Sequence, residues 1–484
     1  MNAAQTARSV AATAEAAATA SREWARADRT VRAAALDAVA ARLDAAADEL
    51  VPTAMRETHL PEPRLRGELG RTTFQLRLFA EVLRDGSYLD ARIDTADPEW
   101  PMGPRPDIRR TLVPLGPVAV FAASNFPFAF SVIGGDSASA LAAGNAVVVK
   151  THPGHPDLSA ATAAVVVAAL AGDGAPQDLF QLVSGIDEGR ELLLAPQIRA
   201  GAFTGSIAGG RALFDLAQQR PDPIPFFGEL GSVNPVFVTR EAARRRAEEI
   251  TAGFVGSFTL GAGQFCTKPG VLVHPRDSDL RELLAAHDLP APAPLLNDRI
   301  QQGYVAGLGT LAGNDGVEPL RFDDGALADP PAPSLVATDL KYVLDNPAVL
   351  DEVFGPASLL VAYDDEDELL ALAELLPGQL TATVVGEEDD RIAPALLERL
   401  ADRAGRVLWN QWPTGVTVSH AQQHGGPYPA TTAPGTTSVG TAAITRFLRP
   451  VAFQNLPQSL LPAELRDGGP APALVNGTPS GGSR

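Results

Sequence analysis

Alanine alternates with arginine, aspartate and glutamate at helical spacing through residues 1–50. This predicts two amphipathic surface helices, one on each side of Arg26-Ala27-Asp28-Arg29. Residues 53–86 keep that period and predict two more, the second carrying Phe74, Leu76, Leu78, Phe79, Val82 and Leu83. Past Arg110 continuous apolar runs take over. Residues 115–124 and 145–150 read as buried strands, since unbroken β-branched runs mark a parallel sheet covered on both faces. A small-residue helix is expected over 131–143. Asp157 is expected to cap another that runs to Leu170, with Gly172 as its stop. Short strands follow at 179–183 and 201–204, with a helix at 190–194 between them. Strand, helix, strand, helix is the pattern of βαβ units, so an open α/β nucleotide-binding layer is expected over 113–230.

The alternation continues less regularly beyond that layer. Strands are expected at 233–238, 271–273, 358–362, 380–385 and 406–409, and helices at 241–260, 366–376 and 389–403. Residues 94–107 are rich in proline and aspartate and read as an excursion from the core. Residues 436–453 suggest a late strand. The stretch from Asp467 is rich in glycine, proline and serine and reads as a disordered tail over 467–484. No internal repeat is present. Residues 111–135 carry no charge, but Pro114, Pro117, Asn125 and Pro127 fall in their midst. A lipid-exposed helix would leave backbone groups unpaired there, so a buried strand with a turn after it is the better reading.

A chain of 484 residues exceeds what one core organises, so two or three structural units are expected. The net charge of −19 argues against nucleic acid or an anionic membrane as the main partner, because both require basic surface. The single cysteine excludes a disulfide framework and fits a reducing compartment. Arg8 and Glu15 interrupt the alanine-rich start and no apolar stretch follows, so no secretory signal is read there and a cytoplasmic location is expected.

That cysteine, Cys266, lies in Gly261-Ala-Gly-Gln-Phe-Cys-Thr267. It is either a small apolar filler, the commoner fate of a lone cysteine, or a nucleophile to which the glycines admit a ligand. Glu229, among aromatic and glycine residues, is either a solvated loop residue or a carboxylate of raised pKa suited to proton transfer. Phe203-Thr-Gly-Ser206, with Gly209 and Gly210, ends a strand and opens a helix whose N-terminus can face a pyrophosphate. The spacing is not that of the dinucleotide fingerprint, and alone it is a weak signal. Lys150 ends a strand at the carboxyl edge, where open α/β sheets bind ligands. Asn125 is an Asx-turn residue or an oxyanion donor. His152 and His155 are separated by Pro153 and Gly154, which disfavours a shared face, and no metal site is assigned.

Taken in order, these stretches resemble the aldehyde dehydrogenase superfamily over roughly residues 5–460. The motifs that carry the resemblance are Leu115-Gly-Pro-Val with Asn125-Phe-Pro-Phe, Val147-Val-Val-Lys150, Phe203-Thr-Gly-Ser, Glu229-Leu-Gly, Gly263-Gln-Phe-Cys266 and Asp351-Glu-Val-Phe-Gly-Pro356. Each alone is modest; six in sequential order are specific. The resemblance implies Cys266 as nucleophile, Asn125 and the Cys266 amide as oxyanion hole, and Glu229 as general base. It places Gly205, Ser206 and Gly210 at the pyrophosphate, Lys150 at the adenosine ribose, and Glu352 and Phe354 at the nicotinamide riboside. Asn410 fits an asparagine of the late catalytic domain.

The implied architecture is α/β, with an open Rossmann-type dinucleotide-binding domain from 1–93 and 113–230 and an α/β catalytic domain over 231–430. A small oligomerisation β-flap comes from 94–112 and 431–455, expected to pair between subunits of a homodimer or homotetramer. Pro153 stands where many NAD-using members carry a ribose-binding glutamate, so NADP is favoured over NAD. Gln423-His-Gly-Gly-Pro-Tyr-Pro429 replaces a common Pro-Phe-Gly-Gly-x-Lys stretch. With Phe226–Pro235 and Thr437–Pro450, this resembles a branch containing 2,5-dioxopentanoate (α-ketoglutaric semialdehyde) dehydrogenases and NADP-dependent long-chain aldehyde dehydrogenases. The first is favoured. A catalytically idle scaffold of the same fold is the remaining alternative.

Overall fold

The helical start folds as its period demands. In the computed structural model, which describes residues 8–479, helices Val10–Trp24, Arg29–Ala45, Ala47–Thr58 and Glu62–Asp85 follow one another. Ser9 and Asp28 cap the first two by accepting from the amides of Ala12 and Thr30. Gly86, at φ 83°, ends the fourth in the left-handed conformation a C-terminal stop requires. The inner faces are largely alanine and leucine: Ala14, Ala17, Ala33, Leu36, Ala40 and Leu43 are fully covered. Phe74 departs from its expected face and is exposed.

Those helices lean on a five-stranded parallel sheet. Its order is Phe180–Val183, Val147–Lys150, Val118–Phe121, Ala200–Thr204, Phe226–Glu229. The strand that comes first in the chain is central. The chain winds outward from it in one direction, then returns and winds in the other, which opens a crevice at the carboxyl edge beside Val118–Phe121 and Ala200–Thr204. The uncharged stretch at 111–135 therefore ends in a buried strand and the turn after it. Among the described residues no helix is long and apolar enough to cross a membrane. Helix Pro156–Gly172 is not capped by Asp157, which lies inside its first turn. Glu57, on helix Ala47–Thr58, takes that role from outside, accepting from the amides of Asp157 at 2.9 Å and Leu158 at 2.8 Å.

A second sheet of seven strands runs Glu318–Arg321, Ser334–Asp339, Ala357–Tyr363, Val271–Pro275, Val236–Val238, Gln379–Val385, Ala404–Trp409. All neighbours are parallel except the first pair. Helix Arg240–Thr259 covers one face, and its Phe254 and Phe258 are fully buried.

The third sheet joins distant parts of the chain. Ile108–Pro114 pairs antiparallel with both Ala91–Asp94 and Leu448–Gln454, so strands from the excursion and from the late stretch meet within one chain. Ala473–Val475 adds parallel to Ala91–Asp94, and Thr478–Pro479 pairs back on it. The tail expected to be disordered from Asp467 is thus ordered as far as Pro479. Arg109, nearly fully buried, holds it by donating to the Leu465 carbonyl and to Asp467, both at 2.7 Å. Residues 480–484 lie outside the described residues.

Candidate active site

The cysteine loop is built on unusual backbone. Gly261, Ala262 and Gly263 take φ of 58°, 55° and 67°, three successive left-handed residues of which one is not glycine. Gly263 is required for a second reason, since a side chain there would strike the carbonyl of Gly355. That close approach ties the cysteine loop to the segment carrying Glu352 and Phe354. Asn234 fixes the loop from beneath, donating its Nδ2 to the carbonyls of Cys266 and Lys268, each at 2.9 Å. The Asn125 side chain reaches the same loop, donating Nδ2 to the Gln264 carbonyl at 3.2 Å.

The Cys266 sulfur faces His424, whose Nε2 is 3.7 Å away. Burial pushes the thiol up to about 12, with the Glu352 and Glu229 carboxylates adding to the rise and Arg406 opposing it. Burial, with the charges of Arg406, Arg71 and Arg446, holds His424 down at about 3, so the imidazole is neutral. Its Nδ1 is buried with no partner among the described residues.

Glu229 ends its strand and is 2% exposed. Arg446, fully buried, lies between Glu229, whose Oε1 it binds, and Asp136, bonded at 3.0 Å. The second oxygen of Glu229 has no partner among the described residues. Burial raises the carboxyl to about 8; Arg446 lowers it less than burial lifts it, and Asp136 adds to the rise. Two buried acids share one guanidinium, so one of them holds a proton near neutrality.

Along the crevice the cofactor candidates are placed unevenly. Ser206 caps helix Ile207–Gln218, accepting from the Gly209 amide at 3.2 Å, and is exposed at the end of its strand. Gly205 stands beside it, its amide taken by the Glu229 carbonyl at 3.0 Å. Gly210 turns inward: a side chain there would collide with Leu230, so this glycine lets the helix pack closely on the residue after strand Phe226–Glu229. Lys150 is half-buried at the strand end, where burial first and then the Arg299 charge lower its pKa. Glu352 lies against Gly231, where burial raises it and the buried Lys268 ammonium opposes the rise. Phe354 follows it, half-buried, before Gly355. Asn410 is not part of this group. Its amide pairs both ways with Gly386 and accepts from Arg246, which fixes the end of strand Ala404–Trp409. His152 and His155 stack on each other, and His155 is held by Ser159 and the Ala123 carbonyl.

A family model described as the aldehyde dehydrogenase family matches residues 2–284. The chain belongs to the aldehyde dehydrogenase family. As an aldehyde dehydrogenase it oxidises an aldehyde to the acid with NAD(P) as hydride acceptor. It is 47% identical over 438 residues to an alpha-ketoglutaric semialdehyde dehydrogenase of Acinetobacter baylyi, covering 89% of this chain and 83% of that protein. It is also 47% identical over 432 residues to alpha-ketoglutaric semialdehyde dehydrogenase 2 of Azospirillum brasilense, covering 87% and 82%. Its fold is that of the crystal structure of a gamma-glutamyl-gamma-aminobutyraldehyde dehydrogenase from Burkholderia cenocepacia. That comparison has a TM-score of 0.77 at 21% identity and spans 92% of this chain and 88% of that one.

Several groups of this aldehyde dehydrogenase site carry no signal in the linear sequence. His424 is the clearest; its only sign is the departure at Gln423–Pro429. Arg446 and Asp136 lie 217 and 93 positions from Glu229, and nothing local marks them. Arg64 and Arg71 do have a local sign, since seven residues on one helix place both on one face.

Proposed function

We propose that this chain oxidises 2,5-dioxopentanoate to 2-oxoglutarate through a thioester on Cys266. The observation that carries the substrate assignment is the 47% identity, over most of both chains, to two alpha-ketoglutaric semialdehyde dehydrogenases. Its fit to the site rests on a half-buried thiol, a buried carboxylate and an amide donor contributed by separate elements around one loop.

In this reading the thiol loses its proton as sulfur bonds to the aldehyde carbon, and His424 Nε2, 3.7 Å from the sulfur, accepts the S–H hydrogen bond and orients it. With the thiol at about 12, roughly one in ten thousand would be ionised at pH 8, and an imidazole held at about 3 does not retain that proton, which passes to solvent. Asn125 Nδ2 has a second hydrogen beyond the one on Gln264, and this with the Cys266 amide receives the oxyanion. Bound NAD(P) supplies the hydride acceptor. Ser206 at the helix N-terminus, Gly205 and Lys150 suit its phosphates and ribose; Glu352 and Phe354 suit the nicotinamide end. Glu229 then draws a proton from water as it attacks the thioester carbonyl, releasing the acid and the thiol.

Replacing His424 with asparagine is expected to slow acylation about 100-fold. The same change slows alkylation of Cys266 by iodoacetamide, an effect that a purely structural histidine would not produce. Unchanged alkylation would remove His424 from the mechanism.

NADP is the favoured cofactor. Lys150 and Arg299 place two positive charges near each other, and Pro153 offers no carboxylate to repel a 2′-phosphate. A panel of 2,5-dioxopentanoate and decanal, each with NADP and with NAD, tests substrate and cofactor together. The highest kcat/KM is expected for 2,5-dioxopentanoate with NADP. Decanal as the better substrate would overturn the substrate assignment, and NAD as the better cofactor would overturn the cofactor preference. The edge strand Leu448–Gln454 is the proposed contact for a homodimer or homotetramer, read by light scattering. A cytoplasmic setting, which keeps Cys266 reduced, fits the chemistry.

A further inference from the structure

Three guanidinium groups surround the cysteine loop, and their charges act on the Cys266 thiol: Arg64 and Arg71 from helix Glu62–Asp85, and Arg406 from strand Ala404–Trp409. Each keeps one buried nitrogen without a partner among the described residues: Nη1 of Arg64, Nη2 of Arg71 and Nε of Arg406. Glu68 is the carboxylate that acts on Arg64 and Arg71, while Glu352 and Glu229 also act on the thiol. Glu68 is 3.9 Å from Arg64 and spends its other oxygen on the amides of Phe128 at 2.8 Å and Ala129 at 3.0 Å. Burial also raises its pKa, which weakens it as a counter-ion. Guanidinium nitrogens buried here without partners are costly until an anion or another acceptor joins them.

Two of the three arginines are already committed. Arg64 lies over the rings of Phe126 and Phe265, at 4.8 and 4.4 Å, and donates to the Asn125 carbonyl at 2.9 Å. Arg406 uses one Nη on the carbonyls of Pro413 and Gly415, at 2.7 and 3.0 Å, and so shapes the loop after its strand. Arg71 makes a single long contact, 3.4 Å from Nε to the Val416 carbonyl, and rests over the Phe130 ring at 5.2 Å. Phe130 in turn stands 6.2 Å from the ring of His424, which touches the sulfur. A line of neighbours thus runs from Cys266 through His424 and Phe130 to a guanidinium whose fork is largely free.

We propose that Arg71 receives the carboxylate of the substrate while Cys266 holds its aldehyde, and that this makes the site selective for short aldehydes ending in a carboxylate. The proposal rests on the substrate reading given above. Arginine offers a planar pair of donors that matches a carboxylate, and in a water-poor pocket the pairing strongly separates an acid from its neutral analogue.

The test measures kcat and KM for wild type, Arg71→Ala and Arg71→Lys on three five-carbon aldehydes: 2,5-dioxopentanoate, 5-oxopentanoate and pentanal. Wild type is expected to prefer both acids by kcat/KM. In Arg71→Ala that preference falls about 100-fold, nearly all of it through KM for the acids. Arg71→Lys loses less, because it keeps the charge and gives up only the fork. If wild type does not prefer 2,5-dioxopentanoate to pentanal, the substrate reading itself fails. If wild type prefers the acids and Arg71→Ala prefers them equally, Arg71 alone is overturned. An equal fall on all three aldehydes overturns it too, as does a loss of preference found in Arg64→Ala or Arg406→Ala instead.

Discussion

Cys266→Ala is expected to abolish aldehyde-dependent NAD(P)H formation, a loss of at least about 10⁴-fold, while the protein still folds and binds cofactor. The size follows from the chemistry: without sulfur, hydride would have to leave a hydrated aldehyde unaided. The sulfur is half-buried and makes no bond closer than the 3.7 Å contact with His424. Its removal therefore changes stability by only about 1 kcal/mol. Cys266→Ser should be nearly as inactive, because a hydroxyl is harder still to ionise in a pocket that already resists a thiolate. Absorbance at 340 nm gives the rate and NADPH fluorescence titration gives cofactor binding. Retention of more than a few per cent of activity would remove Cys266 from the mechanism.

The nucleotide-binding layer was legible in the sequence because its strands are continuous apolar runs. Val118–Phe121 and Val147–Lys150 are buried almost throughout, and no helix-period reading competes there. Its fifth strand, Phe226–Glu229, was not announced. Pro221, Pro223 and Pro225 lead into it and Gly228 falls inside it, so local chemistry points to a loop while pairing with Ala200–Thr204 makes it a strand. Ser334–Asp339 is hidden in the same way behind Pro330, Pro331 and Pro333. Helix Asp298–Ala312 holds Gly303, Gly307 and Gly309, a poor intrinsic helix that packing of Tyr304, Leu308 and Leu311 sustains. The tail beyond Asp467 has the composition of a disordered segment, but Ala473–Val475 finds an open strand edge that no composition reveals.

The candidate site divides along a similar line. Cys266, Glu229, Asn125, Lys150 and Ser206 lie in short motifs whose order along the chain is itself a signal. The groups that set their chemistry come from elsewhere: His424 is 158 positions from Cys266, and Arg446 is 217 from Glu229. Such pairings arise only when the sheets are assembled. Gly210 and Asn410 carry structural duties, close packing against Leu230 and fixation of a strand end through Gly386. Motifs thus name the candidate reacting groups, and tertiary structure supplies the charges around them.

Glu229→Gln tests the second half of the reaction. The variant is expected to give a burst of about one NAD(P)H per active site and then to turn over about 10³-fold more slowly, because an amide fills the carboxylate's space but cannot take a proton from water. Burial holds the native carboxyl at about 8 despite Arg446, so roughly one molecule in ten carries the base form at pH 7 and most do at pH 9. When deacylation limits the rate, kcat should therefore rise with pH through about 8, and this inflection should be absent from the variant's residual rate. The Arg446 charge is not left bare in Glu229→Gln, since Asp136 remains bonded to it at 3.0 Å, so gross unfolding is not expected. Hydroxylamine provides the control: as an external nucleophile it cleaves a thioester without a protein base, and it should restore turnover to the variant. Loss of the burst would place Glu229 in acylation, beside or in place of His424. A burst with no rescue by hydroxylamine would mean that the stalled species is not a thioester. Either outcome would overturn the division of labour in which His424 serves the thiol and Glu229 serves the water.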